Sequence, residues 1–451
     1  MSQSNVAYRA AWVFPVSQPP IRKGVVVVDD REVCWVGREE DWSGEANDLG
    51  QAAIVPGLVN AHTHLEFSLL KRPLGVPGLS FPEWIQAVVA SRRVDTEEGT
   101  GGRRAAIRQG LIESWNSGVV AVGEIASWPA QPDDYSFEDD YSFAAEGGDS
   151  NEKEALAGGA ACGRDGRSGA VSVKSSASEV LVVPFFEILG ESTSGNPRWE
   201  AAVSFLADWT GASAAGLSPH APYSLRPGSF DRAMRWAEGE RLAVAMHLAE
   251  SVPEREWVTV GSGPFQEMLT AFGHPPDPPE ARAGSFESFL TRLNRSRRAL
   301  VIHGNDLRSA ELDLMAGFRR LFVVYCPRTH QFFGHPSYPL SEMLARGIPV
   351  CLGTDSRASN PDLKLFAEMQ TVRELYPGLP VQTILEMGTR TAARALGIAD
   401  RFGTIEVGKS NRLAVVHSRS SDWDAAEGLL SSESEAMPLA GVGGDSLSSA
   451  G

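Results

Sequence analysis

The sequence predicts an α/β fold: a (β/α)8 TIM-like barrel with a small β-sandwich domain built from both chain ends. Eight apolar runs of strand length occur along the chain, and helical patterns lie between most of them. This alternation indicates a parallel sheet that is covered by helices. Five of the eight runs end on His or Asp. Such residues are expected at the C-terminal strand ends of a barrel, where the active site lies.

Short strand patterns near both chain ends predict the small domain. Patterns at 11–14, 24–28 and 33–37 are separated by turn residues, as in a small β-sheet. Two further patterns, at 403–409 and 412–416, follow the last helical stretch and are expected to rejoin that sheet. The predicted domains are residues 1–53 and 400–417 for the small β-sandwich, 54–399 for the barrel, and 418–451 for a flexible tail.

Each predicted barrel strand is an apolar stretch that is bounded by polar or turn residues. They cover residues 54–64, 119–124, 180–187, 215–220, 242–247, 299–303, 321–326 and 348–355. Eight strand-helix units are the number that closes a barrel of this kind.

Residues 130–178 interrupt the alternation between the second and third strands. They begin with a tandem near-copy at 133–137 and 139–143, followed by a tract rich in Gly, Ala and Ser. Residues 131–155 hold nine acids against Lys153 alone. In neither part are apolar residues spaced so that a helix or strand would have an apolar face to bury. The segment is therefore predicted to be a largely disordered insertion. Recruitment of a partner by the acidic repeat is the alternative.

Composition limits the classes of partner. The net charge of −16 argues against a nucleic acid or an anionic membrane surface, because both need clustered Lys and Arg. The sequence has no run of 18 or more apolar residues and no secretory signal at its start, so a cytoplasmic protein is expected. The four cysteines form no Cys-x-x-Cys pair, which favours reduced thiols. A small-molecule substrate is expected, and a homodimer stays open.

The strand ends predict a metal site. His62 and His64 leave the same face of a strand because they are two residues apart. A single histidine such as His247 at a strand end is more often a hydrogen-bonded core residue. Here, however, several polar strand ends would share one rim: His62, His64, His220, His247, His303 and Asp355. Three histidines and one aspartate with an open water position form the pattern of a catalytic zinc site.

Glu250 is the candidate proton shuttle beside this metal. A zinc-like ion lowers the pKa of bound water to about 7, and the resulting nucleophile needs a group that moves protons. Glu250 lies three residues after His247, where the chain leaves the strand. Burial there would raise its pKa toward general acid/base use. The other zinc deaminase signature, His-x-Glu with Pro-Cys-x-x-Cys, is absent from the sequence.

Five motifs carry a resemblance to a known family: 56–64, 218–223, 247–251, 301–305 and 352–360. They resemble the amidohydrolase superfamily, and within it the branch of adenosine-type, S-adenosylhomocysteine, aminodeoxyfutalosine and guanine deaminases and of chlorohydrolases. The resemblance covers nearly the whole chain except the insertion and the tail. The metal ligands that it implies are His62, His64, His247 and Asp355.

The resemblance also implies roles for residues around the metal. Glu250 matches the proton shuttle, His303 matches the residue that positions the attacking water, and Asp355 is expected to accept a proton from that water. The segment 326–335 looks more like the aminodeoxyfutalosine-type members than the S-adenosylhomocysteine deaminases. The substrate contacts predicted in this way are Glu83, His220, Arg328 and His330.

A single divalent metal ion is expected. Relatives with two metals bridge them by a lysine or a glutamate from a middle strand, and the third and fourth predicted strands offer no lysine. Glu187 matches no bridging motif, so a loop or supporting role is favoured for it. Zinc is expected, with ferrous iron as the alternative, because three histidines, an aspartate and a water suit either ion.

The sequence therefore predicts a metal-dependent hydrolase that acts on C–N bonds. The expected reaction is deamination of an aminated purine-type nucleoside or related metabolite, aminodeoxyfutalosine-like or adenosine-like, with release of ammonia. A chlorohydrolase or another amidohydrolase acting on a heterocycle is the alternative of the same class. A catalytically silent metal-binding barrel that serves as an interaction module is the alternative of a different class.

Overall fold

The computed structural model describes residues 5–98, 100–137, 176–190, 196–226, 228–273, 285–418 and 428–441. Its strands, in chain order, are β1 (Val6–Val13), β2 (Ile21–Val28), β3 (Val33–Arg38), β4 (Asn47–Asp48), β5 (Ala53–Pro56), β6 (Leu58–Thr63), β7 (Val119–Ala126), β8 (Leu181–Ile188), β9 (Gly216–Pro219), β10 (Ala243–Leu248), β11 (Arg298–His303), β12 (Leu321–Tyr325), β13 (Val350–Leu352), β14 (Leu413–Ser418) and β15 (Ser434–Pro438). Its α-helices are α1 (Phe81–Glu98), α2 (Thr100–Asn116), α3 (Pro197–Asp208), α4 (Ser229–Gly239), α5 (Val252–Thr259), α6 (Pro264–Ala271), α7 (Phe286–Leu293), α8 (Ser309–Ala316), α9 (Pro327–Phe333), α10 (Leu340–Ala345), α11 (Leu365–Leu375), α12 (Val381–Met387) and α13 (Arg390–Leu396).

The eight parallel strands β6 to β13 pair in chain order and form a nearly closed barrel. A bridge between Thr63 and Asp355 brings the end of the last strand back to the first. Every residue of β7 and β8 is buried, as the near-continuous apolar runs of a parallel sheet require. The predicted barrel and its strand order are confirmed.

The first barrel strand starts at Leu58, not at Ile54 as the sequence suggested. The preceding strand β5 pairs with β1 and β14 in the small sheet. The chain passes from one sheet to the other at Gly57, where an added Cβ would lie 2.5 Å from the carbonyl oxygen of Arg412. Only glycine fits so close to another backbone, so the apolar run is divided between two sheets at this residue.

The small domain contains strands from both chain ends, as predicted. Its strands are connected in one mixed sheet in the order β15-β14-β5-β1-β2-β3, with β4 paired to β1. The predicted flexible tail needs a correction, because β15 lies within it and pairs antiparallel with β14. Leu430 and Leu439 on either side of β15 are buried, which explains why this part of the tail is ordered.

The predicted disordered insertion also needs a partial correction. Residues Pro132–Tyr135 form a 3-10 helix, and Phe137 is buried. Arg104 of α2 donates hydrogen bonds to the carbonyl oxygens of Asp133 at 3.0 Å and Ser136 at 2.7 Å. The first copy of the tandem repeat therefore packs on the barrel. The second copy, and the insertion as a whole from 138 to 175, lies outside the described residues.

Over the part of the chain that the structure describes, no helix combines the length and the apolar character needed to cross a membrane.

Candidate metal centre

Five buried side chains meet at the C-terminal rim of the barrel: His62, His64, His247, His303 and Asp355. They come from β6, β10 and β11 and from the segment that follows β13. Two overlapping groups have their ligand atoms within 4.8 Å of one another, and His62 belongs to both. The fold therefore brings together these five strand-end residues, which the sequence analysis named as candidates for the metal site.

The spacing of these atoms fits one small cation. Zinc bound by imidazole nitrogens at about 2.0–2.1 Å in a tetrahedron separates its ligands by about 3.4 Å. The Nε2 atoms of His64 and His247 lie 3.3 Å apart. The Oδ1 atom of Asp355 lies 3.5 Å from Nε2 of His62 and 3.7 Å from Nε2 of His64. Within the described residues neither buried ring nitrogen of His62 has a hydrogen-bond partner, which is unfavourable for a polar group and leaves Nε2 available to an ion.

The protonation states also suit a metal. Burial lowers the pKa of His64 to about 3, and the neighbouring His62 adds to this effect. Burial, with the surrounding histidines, lowers the pKa of His247 well below its usual value. Burial alone would raise the pKa of Asp355, but its contact with His62 and the nearby His303 lower it. Neutral imidazoles and an ionised carboxylate are the forms that bind metal.

Neighbouring groups fix the orientation of the ligands. The Nδ1 atom of His247 lies 3.2 Å from the carbonyl oxygen of His220, which leaves Nε2 for the metal. Ser359 donates a 2.6 Å hydrogen bond to Oδ2 of Asp355. The backbone of His303 (φ 68°) and Asp355 (φ 55°) is left-handed, a conformation that costs energy for residues other than glycine and often marks functional sites.

Glu250 lies at the edge of this cluster. Its Oε1 atom is 3.3 Å from Nε2 of His303. Its backbone is held by Glu254, which accepts from the Glu250 amide at 2.7 Å, and by Asn305, which donates to the Glu250 carbonyl at 2.9 Å. Burial, followed by the charges of Asp355 and Glu254, raises the pKa of Glu250 well above its usual value. A carboxyl group held in this way can keep a proton at neutral pH and deliver it.

A cavity of about 320 Å³ opens onto the metal cluster and Glu250. Its walls include aromatic side chains from α1 and α5, Trp84 and Trp257, together with Tyr223. An apolar cavity with a few converging polar groups is typical of a small-molecule site. The planar walls suit a flat heteroaromatic ring.

The predicted substrate contacts are only partly brought to the cavity. His220 lines it. Glu83 is exposed on the first turn of α1 and accepts a hydrogen bond from Ser80. Arg328 forms a 2.6 Å ion pair with Asp362 and, like the buried His330, is not among the cavity-lining residues. The structure therefore does not place Glu83, Arg328 or His330 next to the candidate reaction centre.

The cavity contains charged residues that the sequence did not predict as substrate contacts: Glu187, Arg92, Arg198 and Arg226. Glu187 ends the apolar run of β8, which is the one sequence signal that could have selected it. The arginines lie in helices and loops whose patterns resemble those of ordinary surface positions. Their convergence is visible only in three dimensions.

A barrel whose C-terminal rim carries three histidines and an aspartate at single-metal spacing, beside a buried glutamate, defines a class of metal-dependent hydrolases. The amidohydrolase family matches residues 53–432. The chain belongs to the amidohydrolase family, as the five motifs predicted.

Two relatives found by sequence are named as deaminases. The 5-methylthioadenosine/S-adenosylhomocysteine deaminase of Moorella thermoacetica is 26% identical over 425 residues, covering 90% of this chain and 84% of that protein. The enzyme of the same name from Syntrophobacter fumaroxidans is 26% identical over 423 residues, covering 88% of this chain and 80% of that protein.

Solved structures share the fold over nearly the whole chain. Helicobacter pylori aminofutalosine deaminase has a TM-score of 0.72 and 21% identity, covering 96% of this chain and 97% of that one. An adenosine deaminase from Xanthomonas campestris with bound zinc has a TM-score of 0.67 and 21% identity, covering 94% of this chain and 88% of that one. Atrazine chlorohydrolase from Arthrobacter aurescens with zinc has a TM-score of 0.67 and 16% identity, covering 94% of this chain and 91% of that one.

Proposed function

We propose that this protein hydrolytically deaminates an aminated purine-type nucleoside or a closely related metabolite. One observation carries the proposal: Glu250, with its raised pKa, lies beside a single-metal cluster inside a cavity with aromatic walls. The relatives named as 5-methylthioadenosine/S-adenosylhomocysteine deaminases support it, as does the aminofutalosine deaminase fold.

His62, His64, His247 and Asp355 would hold one divalent ion, zinc or ferrous iron. When bound, the ion supplies an activated water at neutral pH. This role for the four residues is supported by their ligand-like spacing and by the unpartnered ring nitrogens of His62.

The remaining residues of the site move protons and position water. His303 orients the attacking water, and Asp355 accepts the proton that this water loses as it adds to the ring carbon bearing the amine. Glu250 donates a proton to a ring nitrogen. Asp355 passes its proton to the amine, so the C–N bond breaks and ammonia leaves, while the new hydroxyl returns its proton to Glu250 as the ring carbonyl forms. General acid/base steps of this kind are each worth roughly 10²- to 10⁴-fold in rate.

Ammonia release tests the proposal. Metal-loaded protein is incubated with adenosine-like, aminodeoxyfutalosine-like, guanine and cytosine compounds, and ammonia and the deaminated product are measured. We expect both products from at least one purine-type nucleoside. Failure with the whole panel would refute deamination.

The atrazine chlorohydrolase neighbour favours testing a second reaction of the same class, hydrolytic removal of chloride from a triazine. Product analysis separates chloride from ammonia. A catalytically silent barrel is the other alternative. It would release neither product after metal reconstitution, but retention of the complete ligand set and of Glu250 argues against it.

A further inference from the structure

Glu187 is a buried carboxylate whose hydrogen-bonding capacity is only partly used. It lies at the C-terminal end of β8, is 2% exposed and lines the cavity. Its Oε2 atom is buried and has no hydrogen-bond partner among the residues that the structure describes. A buried carboxylate oxygen without a donor is unfavourable, so a donor from outside the protein is expected at this atom.

The position of Glu187 links it to the reaction centre. Its Oε1 atom lies 3.7 Å from Nε2 of His220, beyond hydrogen-bond distance. The His220 ring lies 4.9 Å from the ring of His247, measured between centroids. Glu187 is therefore separated from the metal cluster by one side chain, His220, and both lie in the wall of the same cavity.

This wall of the cavity is held in place by backbone hydrogen bonds between the segments that follow β8 and β9. The amide of His220 donates to the carbonyl of Ile188 at 3.2 Å. The amide of Gly190 donates to the carbonyl of Ser224 at 2.8 Å, and the amide of Arg226 donates back to Gly190 at 3.1 Å. A carboxylate on such a wall is preorganised for a ligand and loses little freedom on binding.

The charge of Glu187 is already partly balanced. Burial opposes the charged form of Arg92, but the carboxylates of Glu66 and Glu187 outweigh it and raise the Arg92 pKa. Glu187 therefore needs a hydrogen-bond donor and not a further cation. An ionised carboxylate only accepts hydrogen bonds. The ring nitrogens of a neutral aminopurine are acceptors too, and its amine lies at the metal, so the donors left on a nucleoside are the sugar hydroxyls.

We propose that Glu187 forms a hydroxyl-binding subsite that recognises the sugar diol of the substrate. The inference rests on the proposed deamination of a nucleoside, and it assigns to one residue the preference for a nucleoside over a free base. The diol donates to the carboxylate, with Oε2 as the atom that gains its missing partner.

Paired substrates and paired variants test this subsite. The metal-loaded protein is compared on an adenosine-type nucleoside and on its dideoxy counterpart, which lacks the diol. We expect kcat/KM to favour the nucleoside by about 10- to 100-fold, as for a hydrogen bond to a charged group. Glu187→Leu is expected to reduce this preference to below about threefold, and Glu187→Gln to an intermediate value.

Two controls accompany the variants. Glu200→Gln removes one glutamate charge from an exposed position on α3 and is expected to keep the full preference. Metal content is measured for every variant, because a loss of metal would lower turnover on both substrates equally and leave their ratio unchanged.

Calorimetric binding of the two nucleosides separates this inference from the reaction itself. Tighter binding of the diol form by the parent but not by Glu187→Leu would support the subsite, even if the whole compound panel released no ammonia and deamination were thereby refuted. Equal binding of the two forms by the parent would overturn the subsite, whether or not ammonia is released. An unchanged preference in Glu187→Leu would overturn it as well.

Discussion

Glu250 and Asp355 are buried carboxyl groups at one site, but their surroundings shift their pKa values in opposite directions. Burial and two nearby carboxylates raise the pKa of Glu250, whereas contacts with histidines lower that of Asp355 despite burial. Two carboxyl groups separated in this way can take different roles, one as a proton donor and the other as a ligand and base. Substitutions should separate these roles.

Glu250→Gln is expected to keep about one equivalent of metal and to lose roughly 10²- to 10⁴-fold in turnover, because the amide keeps the shape but cannot shuttle a proton. Asp355→Ala is expected to lose both metal and turnover. Elemental analysis and an ammonia assay on the same preparations measure the two effects. An active Glu250→Gln protein, or two metal equivalents at full activity, would contradict this division of roles.

Sequence reasoning selected the residues of the candidate metal cluster because their chemistry and their position coincide. His62 and Asp355 are polar residues at the ends of apolar runs, and the barrel fold brings such ends together. Glu187 also ends an apolar run. However, only the packing around it shows that its Oε2 atom has no hydrogen-bond partner among the described residues. Glu83 matched a motif, yet its side chain is exposed, accepts a hydrogen bond from Ser80 and is not among the cavity-lining residues.

The 3-10 segment Pro132–Tyr135 is an element that sequence patterns missed. Its one aromatic residue, Tyr135, and the following Phe137 are only two positions apart, which is too short a stretch for a helical or strand period to be recognised. The Tyr135 hydroxyl donates to Glu124 at 3.4 Å, and the Tyr135 ring lies 5.9 Å from that of Trp209. The Phe137 ring lies 5.5 Å from the guanidinium of Arg104. Tertiary contacts therefore order a segment whose composition alone indicated disorder.

Phe137→Ala is expected to lower the free energy of unfolding by about 3 kcal/mol, because it removes a buried aromatic side chain and leaves a cavity. Urea denaturation of the parent and the variant measures the change. Val407→Ala, at a 66% exposed position, is the control and should change stability by less than about 0.5 kcal/mol. Equal stability of the parent and Phe137→Ala would show that the first repeat copy does not pack on the barrel.

At the scale of the whole molecule, the contacts that close the barrel lie next to the proposed metal ligands, and Asp355 takes part in both. Asn60 of β6 donates to the Thr354 hydroxyl at 2.7 Å and accepts from the Thr354 amide at 3.1 Å. The bridge between Thr63 and Asp355 follows directly. The proposed metal ligands are distributed over the first, fifth and eighth barrel strands or their ends. A bound ion would therefore connect the two strands that close the barrel with one on the opposite side.

Metal removal is accordingly expected to lower the melting temperature of the whole protein. A ligand that binds only the folded state stabilises it by about 2.7 kcal/mol at a free concentration of 100 times its Kd. Differential scanning fluorimetry with zinc and with a chelator should show this difference in the parent and in Glu250→Gln. His64→Ala should melt at the same temperature in both conditions. His417→Ala, a histidine substitution in β14 away from the rim, should keep the difference. A zinc-dependent shift in His64→Ala equal to that of the parent would place the stabilising ion elsewhere in the molecule.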